Sequence, residues 1–126
     1  MGLGPVSPAG VLVFTSSERF DEMARFYRDV LGLPARSDRP GFINFVFGDQ
    51  RLTVAVHSAV GGPSRDPDRL MINFSTEDVA SAVAHLVAAG VDIVRYAERE
   101  KWGGWVATFR DPDGNLLQLL EFPADS

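Results

Sequence analysis

Few side chains in this chain of 126 residues are suited to chemistry. The histidines are His57 and His85, Lys101 is the only lysine, and cysteine is absent. Without cysteine there is no disulfide, thiol nucleophile or thiolate metal site, and a single lysine leaves almost no candidate for Schiff-base chemistry. No Ser-His-Asp or Cys-His arrangement can be assembled from this set, so we expect no catalytic residue.

Composition limits the class of protein and its partners. Hydrophobic residues make up 45% and charged residues 23% of the chain, which is typical of a globular protein. The 17 acidic and 12 basic residues give a net charge of −5, which opposes nucleic acid or anionic lipid as a partner. The sequence contains no apolar run of about 20 residues and no signal-peptide pattern. We therefore expect a soluble cytoplasmic protein with no membrane or nucleic-acid partner.

The elements that must position any site occur twice along the chain. Two amphipathic helices have apolar residues at i, i+3, i+4, i+7 and i+8, over residues 23–31 and 79–87, and a glycine follows each. Ser75 and Asp78 have the spacing of a capping box at the start of the second helix, with Asp in place of the usual Glu.

Strand patterns surround each helix. Short apolar runs precede the helices at residues 11–14 and 70–74, and further strand segments follow at 41–47, 51–57, 91–96, 105–110 and 115–122. Gly48-Asp49 and Asp111-Pro112-Asp113-Gly114 are turn signals, and residues 58–69, rich in Gly and Pro, indicate a flexible linker. The pattern predicts an α+β fold in one domain, residues 1–126, with module one at about 10–58, the linker at 59–69 and module two at 70–122.

The order and spacing of these motifs resemble the vicinal-oxygen-chelate superfamily, the group of glyoxalases, bleomycin-resistance proteins and extradiol dioxygenases. The resemblance is carried by Phe-Tyr-Arg-Asp-Val-Leu-Gly-Leu at 26–33, Ala-Ala-Gly-Val at 88–91 and Phe-Arg-Asp-Pro-Asp-Gly-Asn at 109–115. It implies two βαβββ modules that form curved mixed sheets around a shared cavity. In the enzymes of this group, four inward-facing side chains, usually His and Glu, hold one divalent metal.

The resemblance implies that the four metal positions fall on Val11 or Leu12, on Thr53, on Met71 and on Gln118. These side chains supply neither a carboxylate nor an imidazole, and only Gln118 is a reasonable ligand for a hard divalent ion. Enzymes of the group usually have Glu at the position of Gln118. We therefore expect no metal and no other cofactor, and a character closest to the metal-free binding members.

His57 and Glu121 are the residues that could restore a metal site. His57 lies in the same predicted strand as Thr53 and faces the same side, but four residues along a strand correspond to roughly 13 Å. We favour a histidine at the strand end, on the cavity rim, over a metal ligand. Pleat alternation places Glu121 opposite Gln118. An enzyme with a displaced metal site would need His57 or Glu121 to reach the centre.

Pleat alternation also predicts which residues line the cavity. A two-residue turn at Gly48-Asp49 pairs Thr53 with Asn44, and a three-residue loop pairs Gln118 with Thr108. The expected ligand-binding residues combine neutral amides and hydroxyls with apolar and aromatic groups, and they are Asn44, Thr53, His57, Met71, Asn73, Trp102, Thr108, Gln118 and Leu120.

Two tryptophans flank paired glycines in Trp102-Gly103-Gly104-Trp105. Trp102 is either an aromatic wall that stacks on a planar ligand or an ordinary packed side chain beside a glycine turn. Trp105 begins a strand, and we expect it in the core.

Three functional hypotheses follow. The favoured one is a metal-free small-molecule-binding protein of the glyoxalase/bleomycin-resistance type that sequesters an antibiotic-like organic compound as a homodimer. The alternative is a metal-dependent lyase, isomerase or dioxygenase of the same superfamily with an atypical metal site. The third is metal-independent acid–base catalysis by His57.

Overall fold

Two four-stranded mixed sheets carry the fold, one in each of the two units into which the chain divides, Met1–Gly62 and Pro63–Ser126. The computed structural model describes residues 2–124. The first unit contains β1 (Gly10–Thr15), α1 (Phe20–Arg25), a π-helical segment (Phe26–Val30), β2 (Ala35–Arg39), β3 (Phe42–Phe47) and β4 (Gln50–Val56). The second contains β5 (Met71–Ser75), α2 (Val79–Ala88), β6 (Ile93–Arg99), β7 (Trp105–Arg110) and β8 (Leu116–Glu121).

The strand order is the same in both units. The strands run in the orders β1-β4-β3-β2 and β5-β8-β7-β6. The strand before the helix pairs in parallel with the last strand of its unit, and the remaining pairs are antiparallel. This arrangement confirms the predicted α+β fold of two βαβββ modules.

The core of the first unit lies between the helical segment and one face of the sheet. Ile43 and Phe45 of β3 and Val54 of β4 are fully buried on that face. Met23 and Tyr27 from the helical segment are also fully buried, and the Tyr27 ring lies 6.5 Å from the Phe45 ring, centroid to centroid. The alternation along β3 and β4 therefore separates a core face from a second face that the helix does not cover.

The first helix differs from the α-helix that its apolar spacing predicts. It becomes π-helical at Phe26–Val30, where the backbone N–H of Leu31 donates to the carbonyl oxygen of Phe26 at 2.9 Å. Phe26 and Tyr27 are both buried, and their rings meet edge to face. Both rings lie on the apolar face that the i+3 and i+4 spacing from Met23 predicts, and the difference from the prediction is the wider i to i+5 hydrogen bond that closes this turn.

Strand β2 has no counterpart among the strand segments seen in the sequence. Its residues, Ala-Arg-Ser-Asp-Arg, are polar and mostly exposed, because β2 is an edge strand that pairs only with β3. The pairing shifts by one residue between Ala35 and Ser37. An edge strand with a bulge buries neither face, so it shows no apolar alternation.

The cap of α2 is Asp78, not Ser75. The Asp78 carboxylate accepts hydrogen bonds from the backbone N–H and the hydroxyl of Ser81, at 3.1 and 2.8 Å. The hydrogen bonds from Ser81 hold the pKa of Asp78 below its ordinary value. Ser75 is the last residue of β5, so the capping-box interpretation is wrong by three positions. Within residues 2–124 no helix has the length and apolar character needed to cross a bilayer.

The turn between β7 and β8 is built around Asp111. The Asp111 carboxylate accepts from the backbone N–H groups of Asp113 and Asn115, and the N–H of Gly114 donates to the Asp111 carbonyl oxygen at 2.9 Å. Gly114 has a positive φ of 90°, as the turn signal predicts.

The second half of the expected flexible linker is attached to this turn. The N–H of Ser64 donates to the carbonyl oxygen of Asp113 at 2.8 Å, and the Arg110 guanidinium pairs with the Asp68 carboxylate at 2.9 Å. These contacts fix residues 64–68 on the second unit, although their Gly- and Pro-rich surroundings suggest freedom.

Candidate functional site

The uncovered sheet face of the first unit carries a row of mainly polar side chains. Thr53 of β4 pairs with Leu12 of β1 on one side and with Asn44 of β3 on the other, and Asn44 pairs with Ser37 of β2. Directly paired residues present their side chains on the same face. We call Leu12, Thr53, Asn44 and Ser37 the first row. The register gives Leu12, rather than Val11, the same face as Thr53.

The second unit carries an equivalent row. Gln118 of β8 pairs with Asn73 of β5 and with Thr108 of β7, and Thr108 pairs with Arg95 of β6. We call Asn73, Gln118, Thr108 and Arg95 the second row. The predicted pairs Thr53–Asn44 and Gln118–Thr108 are both confirmed by the strand registers.

Two more of the expected lining residues share the face of the second row. Met71 pairs with Leu116, and Ser75 pairs with Leu120, so Met71 and Leu120 lie two residues to either side of the Asn73–Gln118 pair. Both are apolar, and they border the amide groups of the row. The structure thus groups Asn44 with Thr53 in one unit, and Met71, Asn73, Thr108, Gln118 and Leu120 in the other.

The rows offer hydroxyl and amide groups to a ligand. The Asn44 side-chain oxygen accepts a hydrogen bond from the backbone N–H of Ser37 at 3.2 Å, which fixes the amide group and leaves its NH2 as a donor. Gln118 and Thr53 are half-buried, and Thr108 is buried. Partly buried amides and hydroxyls of this kind orient an organic molecule by hydrogen bonds.

The cation at the end of the second row is neutralised. The Arg95 guanidinium donates to Glu98 at 3.2 Å and to Glu100 at 3.0 Å. The hydrogen bond to Glu98, followed in importance by the one to Glu100, raises the pKa of Arg95. The hydrogen bond from Arg95 in turn lowers the pKa of Glu98. A ligand at the second row therefore meets a paired guanidinium and not a free positive charge.

The side chains on these rows do not fit a divalent metal. Among residues 2–124 no three His, Asp or Glu side chains come together in a way that could hold a metal ion. Thr53 and Gln118 provide one hydroxyl and one amide oxygen, and hard divalent cations are usually retained by carboxylates or imidazoles.

Glu121 is committed to another part of the structure. Its Oε1 accepts a hydrogen bond from the backbone N–H of Val79, the first residue of α2, at 2.8 Å. The carboxylate thus lies on the helix side of the sheet, opposite Gln118, as pleat alternation predicts. An enzyme with a displaced metal site cannot use Glu121 in this position.

His57 directly follows β4, as expected for a histidine at a strand end. Its Nδ1 accepts a hydrogen bond from the backbone N–H of Ala59 at 3.0 Å, which places the ring proton of the neutral form on Nε2. The imidazole meets the Phe14 ring edge to face, with 4.7 Å between centroids. It is exposed and two positions beyond Ala55, which separates it from Thr53.

Trp102 lies outside both rows, in the loop after β6. Its indole covers Gly104, because a Cβ on Gly104 would collide with the ring and with the Glu121 carbonyl oxygen. The ring also lies 5.8 Å from the Phe122 ring, and half of the residue, 50%, is exposed. One part of the indole is therefore packed beside a glycine turn, and the other part is open to a ligand.

An open pocket of about 800 Å³ lies at the end of the second sheet, away from the residues that the sequence predicts to line a cavity. Its walls include Ser75, Thr76, Arg99, Trp105, Glu121 and Phe122. The expectation that Trp105 packs in the core is wrong, since the residue is 38% exposed. Helix α2 begins at Val79 and packs on Ala107 and Leu119, which leaves the next residue pair along the sheet uncovered. The signal for this pocket in the sequence was the charged segment 98–101 beside Trp105.

Known proteins with similar sequences and folds agree with this architecture. Residues 13–119 match the family model described as the Glyoxalase/Bleomycin resistance protein/Dioxygenase superfamily. The chain is 26% identical to uncharacterized protein YraH of Bacillus subtilis (strain 168) over 114 residues, which cover 81% of this chain and 89% of that protein.

Two solved structures show the same fold. A glyoxalase-related enzyme from Fulvimarina pelagi is 24% identical, with a TM-score of 0.76 and coverage of 96% of this chain and 90% of that one. A lactoylglutathione lyase from Agrobacterium tumefaciens is 21% identical, with a TM-score of 0.70 and coverage of 94% and 96%.

Proposed function

Because the chain belongs to the Glyoxalase/Bleomycin resistance protein/Dioxygenase superfamily, we propose that it is a small-molecule-binding protein that works without a metal ion. The observation that carries this proposal is the composition of the two rows. At the places where enzymes of the superfamily are expected to hold a metal, this chain has apolar, hydroxyl and amide side chains. Such groups orient a ligand and do not polarise it.

The chemistry of the rows favours a particular class of ligand. Asn44, Asn73 and Gln118 each carry an amide, which donates and accepts hydrogen bonds, and Thr53 and Thr108 carry hydroxyls. Leu12, Met71 and Leu120 border these groups with apolar surface. A flat, mainly neutral organic compound with carbonyl, amide or hydroxyl groups matches this mixture, and antibiotics of that kind are the ligands we propose.

We also propose that the protein acts in the cytoplasm as a homodimer that sequesters its ligand. Sequestration needs tight binding and no turnover, which is consistent with a chain so poor in reactive side chains. The superfamily description includes bleomycin resistance proteins, and this supports the choice of an antibiotic as the ligand class.

A titration with planar aromatic antibiotics tests binding. We expect a saturable change in intrinsic tryptophan fluorescence or in calorimetric heat for at least one compound. Gln118→Leu and Thr108→Val should each lower the affinity for that compound by about tenfold, because they remove hydrogen-bonding groups without adding volume. Gln50→Leu, which changes a glutamine outside the rows, should have no effect. A flat response across a broad panel, or equal affinity in Gln118→Leu, contradicts the proposal.

Metal analysis separates this proposal from the enzyme alternative. We expect no stoichiometric metal after incubation with nickel, zinc, manganese or iron followed by desalting. One tightly retained metal ion per chain would instead support a lyase, isomerase or dioxygenase with an atypical site.

A further inference from the structure

The pocket at the end of the second sheet contains a row of three chemically different side chains. Arg99 of β6 pairs with Trp105 of β7, and Trp105 pairs with Glu121 of β8. All three therefore present their side chains on the same face of the sheet, with the indole between a guanidinium and a carboxylate. This is the helix side of the sheet, opposite the second row, so the pocket is separate from the binding face proposed above.

Each of the three side chains has a charged or hydrogen-bonding group that is not paired within residues 2–124. Within residues 2–124, Arg99 forms no ion pair, and the Trp105 indole N–H has no hydrogen-bond partner. Glu121 gives Oε1 to the N–H of Val79, and its second carboxylate oxygen remains an acceptor. The exposed Phe122 ring adds a further apolar surface at the pocket wall.

The charges of the pocket wall disfavour a ligand that offers a charged group to one side and no hydrogen-bond partner to the other. A simple anion would be attracted by Arg99 but repelled by Glu121 and by Glu77, which also lines the pocket. A simple cation would meet the reverse situation. A molecule with an acidic group at one end and a hydrogen-bond donor at the other satisfies both sides, and a flat ring between them can stack on the indole.

The spacing agrees with a single aromatic ring. Arg99 and Glu121 lie two strands apart, which places their Cα atoms about 10 Å from each other. Side chains that reach inward from both ends leave room for one ring with substituents at opposite positions. The pocket volume of about 800 Å³ is ample for such a molecule.

We propose that this pocket is a second ligand site, for a flat aromatic carboxylate that carries an amino group at the opposite end of the ring. The carboxylate of the ligand pairs with the Arg99 guanidinium. The ring lies against Trp105, and the amino group donates to the free oxygen of Glu121. The site does not depend on the antibiotic-binding function proposed above.

The test uses 4-aminobenzoate as the probe and the indole N–H signals of the intact protein as the reporter. The chain has two tryptophans, and Trp102→Phe and Trp105→Phe assign their two signals in a ¹⁵N–¹H correlation spectrum. We expect a saturable shift of the Trp105 signal. Benzoate and aniline, which each lack one end group, should bind at least about tenfold more weakly.

Variants identify the contacts. Arg99→Gln should lower the affinity for 4-aminobenzoate by at least about tenfold. Lys101→Gln removes a cation from the same segment but outside the pocket wall, and it should leave this affinity unchanged. Glu121→Gln keeps an acceptor for the Val79 N–H but replaces the second carboxylate oxygen by an NH2 group, and it should make the affinities for benzoate and 4-aminobenzoate nearly equal. Gln118→Leu should have no effect, which separates this site from the rows.

Three results would overturn the proposal. The first is the absence of any Trp105 shift at millimolar probe. The second is a Trp105 shift that Arg99→Gln leaves unchanged. The third is equal affinity for 4-aminobenzoate, benzoate and aniline, which would indicate simple apolar partition onto the exposed rings.

Discussion

Gly104 shows how one residue fixes the end of the second sheet. The Trp102 indole covers its α-carbon, and the carbonyl oxygen of Glu121 lies on the same side. The N–H of Glu100 donates to the Gly104 carbonyl oxygen at 2.8 Å, and the N–H of Gly103 donates to Glu100 at 2.9 Å, which closes the β6–β7 hairpin. Any side chain at position 104 must displace the indole or the backbone of β8.

We predict that Gly104→Ala destabilises the protein by about 1–3 kcal/mol, the usual cost of forcing an extra carbon into a packed region. Urea unfolding followed by circular dichroism measures this change. Gly61→Ala is the matched control, because nothing lies within 4 Å of its added Cβ. It should change the free energy of unfolding by less than about 0.5 kcal/mol. Equal stability of the two variants would show that the indole does not rest on Gly104.

Strand β3 illustrates what alternation can and cannot predict for an element. Pleat alternation puts Ile43, Phe45 and Phe47 on the helix side, and the first two are fully buried. Phe47 is the last residue of β3 and is 42% exposed, since the helix does not extend over the strand end. The face of the sheet on which a residue lies follows from its odd or even position along the strand. Its burial depends on how far the covering helix extends along that face.

We predict that Phe45→Ala lowers the free energy of unfolding by about 3–5 kcal/mol, because it leaves a cavity beside Tyr27. Phe47→Ala removes the same side chain from a half-exposed position and should cost about 1 kcal/mol. Chemical denaturation of both variants under one set of conditions compares them. Similar losses in both would contradict the burial described for β3.

The start of α2 makes a prediction about pH. Hydrogen bonds from Ser81 lower the pKa of Asp78 from its ordinary value of 3.8, so the folded carboxylate holds its proton less readily than the unfolded one. The cap therefore contributes fully above that ordinary value, and its contribution is lost as the pH falls through the lowered pKa. Asp78→Ala should reduce the urea midpoint at pH 7, and the gap to the native chain should close as the pH drops below 3.8.

Asp92→Ala serves as the control for this experiment. Asp92 is an exposed carboxylate in the loop before β6, where it caps no helix. The urea midpoint of the Asp92→Ala variant should equal that of the native chain at each pH. A constant gap for Asp78→Ala across the acid range would indicate a packing effect instead of a titrating cap.

The elements differ in how well the sequence predicts them, because some are determined by local turn and alternation patterns and others by contacts between distant residues. The β3–β4 and β7–β8 registers were predictable, because short glycine turns leave one pairing that buries the apolar residues. Strand β2 and the cap Asp78 depend on neighbours that are distant in sequence or on local geometry. The row residues Thr53 and Gln118 followed from register. The pocket at Trp105 did not, because it depends on where α2 stops covering the sheet.

For the whole chain, charge is distributed very unevenly. Residues 1–62 contain six acidic and six basic side chains, and residues 63–126 contain eleven acidic and six basic ones, so the net charge of −5 belongs to the second unit. The first unit instead has an apolar edge. Val11, Leu12 and Phe14 of β1 are each about half exposed, and among the described strands β1 pairs with β4 only. An exposed apolar edge strand on a neutral unit is typical of a surface that another chain covers.

We predict that the protein sediments as a dimer and that Val11→Lys shifts it towards monomer, because a lysine on an edge strand opposes pairing. Sedimentation velocity over a range of concentrations measures this shift, and circular dichroism verifies the fold. Val87→Lys changes an equally exposed valine on α2 and should leave the dimer intact. A monomeric native chain, or equal dissociation in both variants, would exclude β1 as the dimer edge.

The contact between Trp102 and Gly104 has an evolutionary consequence. Because the indole occupies the space that a Cβ at position 104 would need, the two positions cannot diverge independently. Homologues that keep a large ring at position 102 should keep glycine at 104, and those with another residue at 104 should have a smaller one at 102. The pair should therefore covary in an alignment of relatives, and the substitution history of this hairpin would record a constraint from shape, independent of any ligand.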